Sequence, residues 1–178
     1  MDEVILSNKC IDGDQRAQRK LFEMYAPKMM GVCLRYMKDQ AQAEDVLQDG
    51  FVKVFTKLNK YSGDGSLEGW VRRIMVNTAL DQLRKTNKFQ ANVSMDDVGY
   101  KVESGDDALA SLIEEDLLKL IQEMPDGYKT VFNMFAIEGF SHKEIAEKLG
   151  ISENTSKSQY SRAKAYLRIK VEELEIGR

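Results

Sequence analysis

Apolar residues recur along most of the chain at the three- to four-residue spacing of an amphipathic helix. The clearest predicted helix runs from Ala41 to Leu58, with apolar residues on one face and polar residues on the other. Similar spacing predicts helical structure over 16–37, in two pieces that meet near Pro27, because proline lacks the N–H that a helix interior uses. Beyond a glycine-rich loop, a further helix is expected from Leu67 or Glu68 to Lys85.

The helical periodicity disappears after residue 85, where Asn, Ser, Asp and Gly are frequent, and it returns over Leu109 to Met124. Another predicted helix follows Pro125 and ends at Gly139. The pattern therefore predicts an all-α chain of two small helical domains, 1–88 and 109–178, joined by a flexible acidic linker over 89–108.

The segment after Gly139 has the spacing of a helix-turn-helix. Ser141 and Glu144 form the sequence pattern of a capping box, and Gly150 supplies a left-handed turn before a second helix capped by Ser152. In that motif the start of the second helix enters the major groove. The candidate DNA-contacting residues are Asn154, Thr155, Lys157, Ser158, Gln159 and Arg162. The alternative is an ordinary capped helical hairpin with a solvated face, and Ser156 occupies a position that is usually apolar.

The net charge of −3 conceals an uneven distribution. Residues 72–88 and residues 141–170 each carry a surplus of four positive charges, whereas 94–116 carries a surplus of seven negative charges. Two basic segments separated by an acidic one favour a nucleic-acid partner, because the local charge matters more than the total.

Few enzyme classes fit the composition. His142 is the only histidine, so a zinc site or a Ser-His-Asp triad has almost no residues to use. Cys10 and Cys33 lack metal-ligand spacing and are expected to be reduced, and the sequence contains neither a secretory signal nor an apolar run long enough for a membrane span. We therefore predict a cytoplasmic protein with no catalytic residues, no metal or cofactor and no small-molecule substrate.

Three runs in the first half, 43–51, 69–74 and 76–84, resemble conserved region 2 of bacterial sigma factors. The segment from Met124 to Ala163 resembles their region 4. Nothing corresponds to regions 1.1 or 3, and in this respect the chain is similar to the compact extracytoplasmic-function (ECF) group. The resemblance implies a factor that binds core RNA polymerase, recognises the minus-35 element through its helix-turn-helix and melts the minus-10 element.

The resemblance also implies roles for particular residues. Asp45, Gln48 and Asp49 match the face that docks on the clamp of the polymerase β′ subunit, although a solvated helix face would look the same. The candidate minus-10 contacts are Tyr61 and Trp70 for base stacking, Asn77 for a base, and Arg72, Arg73, Arg84 and Lys85 for phosphates. For Trp70 the alternative is an ordinary core residue. Further implied partners are the β flap, promoter DNA and an anti-sigma factor, which in this group is often membrane-anchored.

Two other functions remain open on the residues alone. The first is a dimeric helix-turn-helix regulator that would bind an inverted repeat. The second is a metal-dependent nuclease or nucleotidyl enzyme using acids such as Asp45, Asp49 and Asp81, which the absence of supporting histidines and of a phosphate-binding loop makes a poor fit.

Overall fold

The computed structural model describes residues 3–85 and 114–176, and the predicted linker lies outside this part of the chain. The described residues form α-helices with short 3-10 and π turns and contain no strand, so the all-α prediction is confirmed. The chain divides into two compact units, one within 1–85 and the other within 86–178.

Four helices build the first unit: α1 (Glu3–Ile11), α2 (Gln15–Tyr36), α3 (Gln40–Lys57) and α4 (Leu67–Lys85). A single 3-10 turn, Leu58–Lys60, follows α3. Aspartate caps fix where α2 and α3 begin. The carboxylate of Asp14 accepts hydrogen bonds from the N–H groups of Arg16 and Ala17 at the start of α2, and the carboxylate of Asp39 accepts one from the N–H of Gln42 at the start of α3.

Helix α2 is continuous through Pro27, so the prediction of two helical pieces is wrong. A proline inside a helix costs about 3 kcal/mol. The apolar stripe of α2 is buried on both sides of Pro27, and each fully buried large side chain contributes about 1.5–3 kcal/mol. Burial of Leu21, Tyr25, Met29 and Val32 therefore outweighs the local cost.

The core of the first unit lies where α2, α3 and α4 meet. It contains Val46, Phe51 and Val54 from α3 packed with Val71 and Met75 from α4. The opposite face of α3 and one face of α4 remain accessible to solvent.

The second unit is described from residue 114. Its helices are α5 (Glu114–Glu123), α6 (Asp126–Phe132), α7 (His142–Leu149) and α8 (Glu153–Ile176), with a π turn, Asn133–Ile137, after α6. The expected helix over 109–124 is thus described only from 114. The core joins α5 and α6 to the middle of α8 through Ile121, Tyr128, Ala163, Leu167 and Val171.

Candidate nucleic-acid interface

The predicted helix-turn-helix is present in α7 and α8. The Ser141 hydroxyl accepts from the N–H of Glu144 at 3.2 Å, and the Glu144 carboxylate accepts from the N–H of Ser141 at 2.8 Å. Gly150 adopts φ 68°, and its N–H donates to the carbonyl of Ala146. Ser152 then caps α8 by accepting from the N–H of Thr155 at 2.9 Å. The capping box, the left-handed turn and the second cap are therefore confirmed.

Ser156 explains how a polar residue fits an apolar position of the motif. Its side chain is fully buried, and its Oγ lies 2.9 Å from Nδ1 of His142 in a hydrogen bond between the two helices. The His142 ring stacks on Phe135 with a centroid distance of 4.2 Å. The only histidine thus joins α7 to α8. Burial, followed by the nearby charge of Lys157, lowers the pKa of His142, while Glu153 opposes this shift.

The exposed face at the start of α8 holds most of the predicted minus-35 contacts. Asn154, Lys157 and Ser158 are exposed, and Thr155 and Arg162 are half-buried. Lys157 pairs with Glu153 at 2.9 Å, but both side chains are about half exposed, so the pair is weak and leaves the ammonium able to bind a phosphate.

Gln159 does not belong to this face. Its side chain is only 1% exposed, and the helical period places it about 140° around α8 from Asn154. A residue with so little exposed surface cannot contact a base edge. The structure therefore corrects the prediction that Gln159 contacts DNA.

Ser161 is a candidate that the sequence analysis missed. It is half-buried and follows Asn154, Lys157 and Ser158 by seven, four and three residues, which puts it on their face of α8. This spacing was readable from the sequence. The residue was omitted because the candidates were chosen by residue type near the helix start and not by helical phase.

Two of the predicted minus-10 residues lie where the loop 61–66 meets α4, Tyr61 in the loop and Trp70 in the first turn of the helix. Tyr61 and Trp70 are both half-buried, and their rings lie 5.8 Å apart at an interplanar angle of 52°. The Tyr61 hydroxyl donates to the carbonyl of Gly65 at 2.7 Å and closes the loop. Gly63 and Gly65 have φ values of 84° and 87°, which residues with side chains rarely adopt. Trp70 is therefore not a fully buried core residue, and one part of its surface is available for stacking.

One face of α4 continues from this loop. The helical period places Arg73, Asn77 and Arg84 on the same side as Trp70. Arg73 and Arg84 are exposed and Asn77 is half-buried. Lys85, also exposed, lies at the edge of this face at the end of the helix. Arg72 is half-buried and lies about 200° around the helix from Trp70. The structure thus brings together all the predicted residues of α4 except Arg72.

The predicted polymerase-docking residues form one exposed face of α3. Asp45, Gln48 and Asp49 are all exposed at spacings of three and four residues. Val52 lies at the centre of the same face and is 64% exposed, more than any other large apolar side chain among the described residues. The sequence analysis missed Val52, although its spacing of seven from Asp45 was a usable signal.

The described residues offer no metal site, because they contain no group of three or more His, Cys, Asp or Glu side chains that could bind a metal ion. Cys10 and Cys33 are buried free thiols, as predicted, and burial raises the pKa of Cys33 to about 12. Within 3–85 and 114–176, no helix is both long and apolar enough to cross a membrane.

Comparison with known families matches both halves of the chain. Sigma-70 region 2 matches residues 21–89, and Sigma-70 region 4 matches residues 114–167. The chain belongs to the sigma-70 family.

Curated relatives narrow this assignment. The chain is 29% identical over 165 residues to RNA polymerase sigma-H factor of Pseudomonas aeruginosa, covering 85% of this chain and 84% of the relative. It is 27% identical over 173 residues to ECF RNA polymerase sigma factor SigW of Bacillus subtilis, covering 91% of this chain and 92% of the relative. The chain is thus a promoter-recognising sigma factor of the ECF group, as the sequence predicted.

Two solved structures share the fold. One is CnrH in complex with the cytosolic domain of CnrY, with a TM-score of 0.52 and 21% identity, covering 96% of this chain and 97% of that one. The other is the sigma factor RpoE in complex with the anti-sigma factor NepR from Bartonella quintana, with a TM-score of 0.52 and 22% identity, covering 90% and 98%. At this level of identity the likeness concerns the fold alone.

Proposed function

We propose that this ECF sigma factor binds the minus-35 element through the exposed start of α8. The observation that carries the proposal is one face at the start of α8, the second helix of the capped helix-turn-helix. This face is formed by Asn154, Lys157, Ser158 and Arg162. Amide, hydroxyl and guanidinium groups are the ones that read base edges, and the ammonium of Lys157 suits a phosphate. Ser161 joins this surface, and Gln159 does not.

The first unit captures the non-template strand of the minus-10 element. Extruding a base costs a few kcal/mol, which stacking and pocket contacts offset. Tyr61 in the loop 61–66 and Trp70 in the first turn of α4 offer stacking surfaces, while Asn77 contacts a base. Arg73, Arg84 and Lys85 follow the phosphates, because these cations are exposed on the side of α4 that continues from Trp70.

Core polymerase docks on the exposed face of α3. Asp45 and Asp49 supply negative charge for a basic partner, Gln48 supplies a hydrogen-bonding group, and Val52 supplies an apolar centre. The partner surface is the β′ clamp, and the second unit also contacts the β flap. An anti-sigma factor holds the protein inactive, a role supported by the fact that one structural neighbour, RpoE, was solved in complex with the anti-sigma factor NepR. The factor contributes no catalytic residue of its own to transcription.

Run-off transcription on fragmented genomic DNA tests the function directly. Core polymerase is assayed with and without the protein, on the genomic fragments and on a control template that core enzyme transcribes alone. We expect discrete transcripts that depend on the protein, with start sites that define both promoter elements. Core enzyme that is active on the control template but gives no new start with the protein would contradict the proposal.

A further inference from the structure

Helix α1 supplies a carboxylate to the start of α4. Glu3 Oε2 accepts a hydrogen bond of 2.9 Å from the N–H of Leu67, the first residue of α4, across 64 positions of sequence. Glu3 Oε1 accepts a second bond of 3.0 Å from the hydroxyl of Tyr25 in α2. One half-buried carboxylate therefore ties three helices together at the point where the loop 61–66 ends.

The surroundings keep both bonds in place. Tyr25 is 3% exposed, and burial, followed by its hydrogen bond to Glu3, raises its pKa well above the ordinary value, so the phenol remains a donor even in alkaline solution. A carboxylate that accepts from the first N–H of a helix also interacts favourably with the helix dipole. Lys28 pairs with Glu68 at 2.6 Å and adds a second link between α2 and the first turn of α4.

The same helix supports the loop itself. A methyl group of Val4 lies 3.8 Å from the point where a Cβ at Gly63 would be, so α1 packs under the loop as well as against its end. Tyr61 closes the loop from the other side through Gly65 and meets the ring of Trp70. The position of the loop relative to Trp70 therefore depends on where α1 holds the start of α4.

We infer that Glu3 is a positioning residue for capture of the minus-10 strand: it fixes loop 61–66 and the start of α4 so that Tyr61 and Trp70 face the extruded bases. This inference rests on the function proposed above. Glu3 lies outside the residues 21–89 that match region 2, so the capture apparatus extends beyond that region.

The variant Glu3→Gln tests this role with little change of shape. The two bonds use different oxygens of Glu3, and glutamine replaces one of these oxygens with an NH2 group that cannot accept, so in the same geometry one bond is lost together with the negative charge. The matched control is Glu23→Gln, because Glu23 is an exposed acid of the same unit that pairs only at the surface with Arg19.

Two affinities are measured for the full chain. The first is for a single-stranded oligonucleotide carrying the non-template minus-10 sequence of a promoter mapped by run-off transcription, read by the fluorescence of Trp70, the only tryptophan. The second is for core polymerase, which binds the α3 face of the same unit. We expect Glu3→Gln to weaken strand binding about tenfold and to leave polymerase binding unchanged. Glu23→Gln is expected to leave both affinities unchanged.

The outcomes separate the two proposals. A general structural defect in Glu3→Gln would weaken both affinities together, and strand binding equal to the wild type would likewise overturn the role of Glu3. If Glu3→Gln does not fold, Tyr25→Phe is used instead. This variant removes one of the two hydrogen bonds, and we expect it to weaken strand binding and to leave polymerase binding unchanged. If the wild-type protein does not bind the strand at all, the minus-10 function fails, and the role of Glu3 fails with it.

Discussion

His142 makes the junction of α7 and α8 sensitive to pH. Its pKa lies below the ordinary value of 6.5 because burial and then Lys157 disfavour the imidazolium. The unfolded chain therefore binds a proton at a higher pH than the folded chain does. The contribution of His142 to the free energy of unfolding is fully present above pH 6.5. It is lost as the pH falls from 6.5 through the pKa of His142 in the folded state.

We expect the free energy of unfolding to decrease over this interval for the wild type and to decrease less for His142→Gln. Urea unfolding followed by circular dichroism measures the difference. Because the chain has one histidine, a single imidazole resonance gives the pKa directly by NMR. A midpoint at or above 6.5 would show that the junction does not disfavour the charged ring.

At the same scale, two of the predicted nucleic-acid contacts do not lie with the others. Gln159 and Arg72 are types that contact nucleic acids, but the first is buried in the second unit and the second lies on the far side of α4 from Trp70. Phase was available from the 3.6-residue period, which also identifies Ser161 and Val52. The bond between His142 and Ser156 could not be predicted, because it depends on the distance between two helices.

At the scale of the helix, alanine substitutions at two glycines measure how closely α3 packs against α4. A Cβ added at Gly50 in α3 would lie against Sδ of Met75 and 2.9 Å from its Cε, whereas one added at Gly31 in α2 would have nothing within 4 Å. We expect Gly50→Ala to destabilise the protein by about 1–3 kcal/mol through overpacking. Gly31→Ala is expected to stabilise it by about 0.5–1 kcal/mol, since alanine is the better helix former.

Urea unfolding of both variants and the wild type measures the two effects, and each glycine serves as the control for the other. Equal changes in the free energy of unfolding would mean that the Met75 side chain moves aside at little cost. In that case Gly50 would be a helix position like any other, and close packing of α3 against α4 would not explain it.

Helix boundaries followed the sequence where local signals and burial agree, as in α4, whose predicted range matches Leu67–Lys85. Pro27 is the opposite case. Its local effect favours a break, but apolar residues before and after it belong to one continuous stripe buried against α3 and α4. Local chemistry predicts where a helix can end, and tertiary packing decides whether it does.

At the scale of the whole molecule, the surface proposed to bind polymerase and the surface proposed to bind the minus-35 element differ in charge. The α3 face of the first unit is acidic, while the start of α8 in the second unit carries Lys157 and Arg162. In the proposed function, core polymerase on α3 and the minus-35 duplex on α8 therefore bind surfaces of opposite charge, and the net charge of −3 describes neither surface. Joining two such modest contacts in one chain raises the overall affinity through effective concentration.

This separation predicts that the two affinities can be changed one at a time. We expect Asp49→Lys to abolish co-purification with core polymerase and to leave binding to a minus-35 duplex unchanged. The control is Glu23→Lys, the same charge reversal at an exposed site on α2, which is expected to retain polymerase binding.

The reverse pattern is expected for Lys157→Ala and Arg162→Ala. Each should weaken binding to the minus-35 duplex, by about 1–3 kcal/mol where a base contact is lost, and leave polymerase binding unchanged. A lost phosphate contact would also lower the slope of log affinity against log salt by about 0.9, whereas a lost base contact would relax sequence preference. Lys170→Ala, farther along α8 and paired with Glu173, is the control. If Asp49→Lys weakened duplex binding as much as Lys157→Ala does, the acidic face of α3 would not be specific to polymerase, and the assignment of polymerase to α3 and of the minus-35 duplex to α8 would be wrong.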